Sequence, residues 1–153
     1  MRRTASDAAR GKVSMSRLGY YKDEFISCFL GAAGGARVPP LINRGYYARY
    51  KSIDTLVRQF IQSCTEKGLP SQIVVLGGGS DTMYFRYLDQ VQKGENTLLP
   101  TRFIDVDLEE NAIHKATSIL RSQKLCSLLG ITTPQSTKSL PKTTKADAAT
   151  TTS

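Results

Sequence analysis

Apolar residues along this chain recur in two rhythms, one helical and one strand-like, and the order of these segments predicts an α/β fold. In "SIDTLVRQFIQSC", Ile53, Leu56, Val57, Phe60 and Ile61 fall at i, i+3, i+4, i+7 and i+8. That spacing puts them on one face of a helix, with Ser52 placed to cap its start. Earlier, Tyr20, Phe25, Ile26, Phe29 and Leu30 in "LGYYKDEFISCFL" predict a short helix before the breaker "GAAGGARVPP". Gly68 and Pro70 stop the long helix. The short β-branched run "QIVVL" follows, bounded by turn residues, and predicts a buried strand. A second helix is expected from near Asp81 to before Gly94, and "RFIDVDL" is the next strand. "EENAIHKATSILRSQKLCSLLG" is then a third helix, with Glu109 and Glu110 where the helix dipole favours negative charge.

Strand, glycine loop, helix, strand, helix is an order that implies parallel strands joined by a right-handed crossover. It is the opening of a doubly wound, Rossmann-like α/β sheet, preceded by N-terminal helices. The folded unit is expected over residues 18–131. Residues 132–153 have almost no apolar content and half are Ser or Thr. Such a tail cannot bury enough surface to offset its ordering entropy and is expected to be disordered. Residues 1–17, rich in Arg, Ser and Ala, read as a mobile N-terminal arm, with a mitochondrial transit peptide as the alternative.

Composition narrows the function classes. The chain has 153 residues and a formal net charge of +8, but its cations are dispersed and form no stripe interleaved with aromatics, so no nucleic-acid partner is expected. No apolar run approaches the roughly 18 residues of a membrane span, so no membrane partner is expected either. Cys28, Cys64 and Cys126 are odd in number and widely spaced. They make neither a metal-binding pair nor a disulfide framework, and a reducing, cytoplasmic compartment fits best.

The chemistry is concentrated at "VVLGGGSDTMYFR". Ligands of open α/β sheets bind at the carboxyl ends of the strands, over the first strand-to-helix turn, and Gly77, Gly78 and Gly79 sit on that turn. An acidic residue ending the second strand commonly accepts from ribose hydroxyls; Asp107 holds that place, with Asp105 in reserve. A dinucleotide fingerprint fits poorly, because reading G-x-G-x-x-G from Gly77 puts Thr82 at the third glycine. That disfavours a fragment of an NAD-linked oxidoreductase. S-adenosyl-L-methionine, which carries no phosphate, suits the pattern better; a merely tight turn is the plain alternative.

"INRGYYAR", "VVLGGGSDTMYFR" and "FIDVDLEE", in this order and at these separations, resemble the leucine carboxyl methyltransferases, which esterify the C-terminal leucine of the type 2A protein phosphatase catalytic subunit. The resemblance covers about Gly11 to Leu120. It implies an S-adenosyl-L-methionine-dependent methyltransferase fold, of which residues 18–131 are the N-terminal portion. It also implies cofactor-binding roles for Lys12 and Arg49, near the methionyl end, for Gly77 in the loop and for Asp107 at the ribose. A carboxylate needs a cation, and Arg offers a planar fork while Lys offers a point charge. No catalytic base and no metal are expected, because a C-terminal carboxylate has a pKa of about 3.3–3.7 and is already ionised at neutral pH. His114 is read as a surface or packing residue. Tyr46 and Tyr47 are read as core aromatics, with a place at the substrate entrance as the alternative.

The strands and helices that complete the family's sheet have no counterpart here. The chain is therefore expected to be a truncated form, inactive by itself, or alternatively a non-catalytic binding module that occupies the phosphatase or the full-length enzyme.

Overall fold

The computed structural model describes residues 2–30, 38–95 and 98–132, with side chains from residue 8 onward. Its elements are α1 (Arg2–Arg17), a 3-10 turn (Ile26–Phe29), α2 (Pro40–Glu66), β1 (Gln72–Leu76), α3 (Met83–Gln92), β2 (Arg102–Val106), α4 (Glu109–Arg121) and α5 (Gln123–Leu129). β1 and β2 pair in parallel, with Gln72 opposite Arg102 and Leu76 opposite Val106. The α/β class and the parallel pair expected from the sequence are thus present. The expected disordered tail lies, from residue 133, outside the described residues, as does most of the breaker loop.

Several elements differ from the reading of the sequence. Residues 1–17 were read as a mobile arm, but α1 is a helix whose Ala9, Val13 and Met15 are buried. Its Gly11 lies against the Tyr46 ring of α2, where a Cβ would come within 2.7 Å of the ring. Small residues let the two helices approach, a packing effect invisible to periodicity. α2 starts at Pro40, not at Ser52, because proline lacks the N–H that a first turn leaves unpaired and its fixed φ suits that position. Ser52 sits exposed inside the helix. The expected third helix is broken at Ser122, whose extended backbone (φ −95°, ψ 107°) ends α4 while its hydroxyl accepts from Leu125 N to cap α5.

Among the described residues, two apolar clusters hold the elements together. Phe25, Phe29, Phe85, Leu125 and Leu128 join the 3-10 turn to α3 and α5. Ile61, Met83 and Tyr87, with Val57, Leu99 and Phe103, join α2 and α3 to the sheet. The strands are less covered than expected: "QIVVL" was read as buried, yet Val74 and Leu76 are exposed. Of the apolar stripe read on α2, Ile61 is fully buried, whereas Leu56 and Phe60 are exposed. Asp54 is buried on this helix in their place.

Candidate cofactor site

At the carboxyl end of β1 lies a cavity of about 450 Å3, walled by α1, α2, β1, the glycine loop and the start of α3. A volume in this range suits a nucleoside-sized ligand. Lys12, Arg49 and Gly77 all line it, so three of the residues singled out from the sequence converge although they lie on separate elements. Tyr46 lines it too, whereas Tyr47 packs in a tilted arrangement against Tyr20 and Tyr50 at centroid distances of 5.8 and 6.2 Å.

The three glycines are needed for two different reasons. Gly77 and Gly79 have φ of +66° and +52°, in the left-handed region that disfavours a side chain. Gly78 is hemmed in instead: a Cβ there would stand 2.8 Å from Val75 Cγ1 and 3.1 Å from Asp105 Oδ1. The loop leaves β1 with Gly77 N donating to Val106 O at 2.7 Å, which extends the parallel ladder by one bond.

Asp107 follows β2 and lies beside the cavity rather than in its lining. Its Oδ2 accepts from Gly79 N at 2.7 Å, and its Oδ1 accepts from Leu108 N and Asn111 Nδ2, both at 2.7 Å. These bonds, Asn111's foremost and then Gly79's, hold the carboxyl below its usual pKa. The carboxylate thereby ties the glycine loop to the start of α4. Asp105, the reserve candidate, is engaged elsewhere: its Oδ2 accepts from Lys115 Nζ at 2.6 Å. His114 is exposed on α4, away from this cavity.

A buried polar network that the sequence reading missed runs through the cavity wall, where Tyr21, Tyr50, Thr82 and Arg86 belong to the lining. Arg86 of α3 is 6% exposed and donates through Nη1 to Tyr50 Oη at 2.8 Å. The same Nη1 stands 3.6 Å from Asp54 Oδ1, and Nε stands 4.0 Å from Asp23 Oδ2. Its guanidinium also lies over the rings of Tyr50 and Tyr21, which stack with centroids 4.3 Å apart. Asp23 accepts from Thr82 Oγ1 at 2.6 Å, from Tyr21 Oη and from the backbone of Phe25 and Ile26. Asp54 accepts from Tyr87 Oη at 3.0 Å and from Arg58 Nε at 2.9 Å. Burial, and then the nearby carboxylates, push the Tyr21 and Tyr87 hydroxyls well above their ordinary pKa. Two signals were available in the sequence: Arg86 interrupts the aromatic run "YFRY", and Asp54 interrupts an apolar helix face.

A family model described as Leucine carboxyl methyltransferase matches residues 2–128. The chain is 35% identical over 127 residues to a Leucine carboxyl methyltransferase 1 homolog of Arabidopsis thaliana, covering 83% of this chain and 35% of that protein. It is 36% identical over 127 residues to Leucine carboxyl methyltransferase 1 of Schizosaccharomyces pombe, covering 83% of this chain and 38% of that protein. It is also 34% identical over 129 residues to a tRNA wybutosine-synthesizing protein 4 of Homo sapiens, covering 83% of this chain and 18% of that protein. The chain thus spans little more than a third of the length of the first two relatives. With most of its length matched by the family model and by relatives above 30% identity, the chain belongs to the leucine carboxyl methyltransferase family.

Proposed function

We propose that this chain carries the N-terminal, S-adenosyl-L-methionine-binding part of a carboxyl methyltransferase that esterifies the C-terminal leucine of the type 2A protein phosphatase catalytic subunit, in the cytoplasm. The observation that carries this reading is the convergence of Lys12, Arg49 and Gly77 on one cavity at the carboxyl end of β1. Membership of the family supports it.

The residues present fit the group. Gly77 and Gly78 give the cavity a wall of bare backbone, and Asp107 at the next strand end, three of whose about four lone-pair sites are taken, retains one on Oδ2 for a ribose hydroxyl. Arg49 and Lys12 supply the cations that a methionyl carboxylate needs. Met15, Ile73, Val75 and Leu76 keep the lining apolar, so the few polar groups act in a low dielectric. When bound, S-adenosyl-L-methionine supplies an electrophilic methyl on a sulfonium sulfur, which an ionised carboxylate attacks without first losing a proton. The chain's own contribution is then to bind, align and exclude water, a matter of proximity and orientation.

Calorimetric titration of the 153-residue chain with S-adenosyl-L-methionine tests the binding half; no heat up to millimolar ligand would end the reading. The acceptor is tested with a chimera that continues this chain with the C-terminal part of the Arabidopsis relative, given labelled cofactor. Labelling of the phosphatase subunit that depends on its terminal leucine is expected. Labelling of transfer RNA in its place would transfer the assignment to the class of the human relative.

A further inference from the structure

Lys12 is already engaged in the cavity wall: its Nζ donates to Asp81 Oδ2 at 2.8 Å, across 69 positions of sequence. Asp81 itself is held rigidly. Its Oδ1 accepts from Met83 N at 2.8 Å, and its own N donates to Gly78 O at 3.0 Å. Both residues of the pair line the same cavity as Arg49. An ionised carboxylate offers about four lone-pair sites, and only two of Asp81's are taken by these bonds. Burial opposes its charge, but Lys12 and Met83 N outweigh that and keep the carboxyl below its usual pKa. The lining therefore presents a fixed negative group beside the glycine loop, together with the cations Lys12, Arg49 and Arg86, of which Arg86 is already engaged with Tyr50, Asp54 and Asp23. A ligand head of matching chemistry is a zwitterion.

Building on the proposed cofactor reading, we propose that Asp81 is a binding residue of this cavity: it receives the α-ammonium of a nucleoside that carries a free amino-acid head, while Arg49 and the Lys12 it holds take the α-carboxylate. The pair would then select for intact amino-acid heads. A pure staple between α1 and the glycine loop would show no such selection.

Three ligands separate the two roles: S-adenosylhomocysteine, its deaminated derivative, and 5′-methylthioadenosine, which lacks the head altogether. Wild type is expected to bind S-adenosylhomocysteine roughly 10- to 100-fold more tightly than the deaminated derivative, as befits a charge-assisted bond. Asp81→Asn, which keeps an acceptor for Met83 N, is expected to lose a similar factor for S-adenosylhomocysteine and to bind 5′-methylthioadenosine as before. Equal weakening for both ligands would mean a structural staple and would overturn the proposal. So would a wild type that does not distinguish the deaminated derivative, a comparison that stands even if the variant fails to fold. Wild type that binds S-adenosylhomocysteine without such discrimination removes Asp81 alone, whereas wild type that binds none of the three removes the cofactor reading as well.

Discussion

Arg86 compensates two buried carboxylates, Asp23 and Asp54, from a position that solvent scarcely reaches. Its Nε has no hydrogen-bond partner among the described residues, so its worth lies in charge and in stacking under Tyr21 and Tyr50. Arg86→Met keeps the volume but leaves Asp23 without a cation among the described residues and Asp54 with Arg58 alone, and removing one partner of a buried pair costs about 3–5 kcal/mol. Urea unfolding is expected to show that loss; a change below about 1 kcal/mol would mean that Asp23 and Asp54 are satisfied without Arg86. Asp107 makes a second residue-level case. Asp107→Ala removes the bond that closes the glycine loop through Gly79 N together with the acceptor offered to ribose, each worth about 1.5–3 kcal/mol when charged. Affinity for S-adenosyl-L-methionine should fall tenfold or more by calorimetry, and unchanged affinity would take Asp107 out of the site.

At the scale of elements, α1 closes one side of the cavity and is joined to the glycine loop through Lys12 and Asp81. Because the Asp81 carboxyl is held below its usual pKa, the unfolded chain binds its proton more readily than the folded one. The bridge therefore contributes stability above the unfolded value of about 3.9, and this contribution disappears as the pH falls through the lower folded value. The Tm difference between wild type and Asp81→Asn is expected to stay constant from about pH 5 to 8 and to shrink below about pH 4. A difference that widened toward acid would contradict the assignment. β1 forms another wall, and its register with β2 sets Val75 opposite Asp105, both close under Gly78. In Gly78→Ala the added Cβ would crowd Val75 Cγ1 and Asp105 Oδ1, which should destabilise by about 1–3 kcal/mol, as overpacking does.

Across the whole molecule, the apolar surface is less covered than a parallel sheet ordinarily tolerates. Leu76 is 78% exposed, and Ile104, Val106 and Leu108 are exposed along and just beyond β2. Each strand has a partner on one side only among the described residues, and open edges next to apolar faces promote association. The 153-residue chain is expected to self-associate at concentrations on the order of 10–100 μM. Val106→Lys paired with Ile104→Thr, both outside the cavity lining, should shift it toward monomer in sedimentation velocity. A wild type that stays monomeric over that range would show that these faces are already shielded.

Features that depend on near neighbours were legible in the amino acids. "QIVVL" is β1 from Gln72 to Leu76 because a β-branched run between turn residues has few alternatives. Glu109 and Glu110 open α4 because the helix dipole acts within one turn. Lys12, Arg49 and Gly77 were named from the family resemblance, yet nothing local says that they share a cavity. The helical state of residues 2–17 comes from burial against α2, and the start of α2 at Pro40 from a turn geometry that the apolar stripe after Ser52 concealed. The polar network was out of reach for the same reason. Thr82 meets Asp23 across 59 positions, and Lys12 meets Asp81 across 69. Periodicity reports which face of an element is apolar; only the docking of those elements determines which charges are buried together, because a buried charge is stable only where the fold delivers its partner.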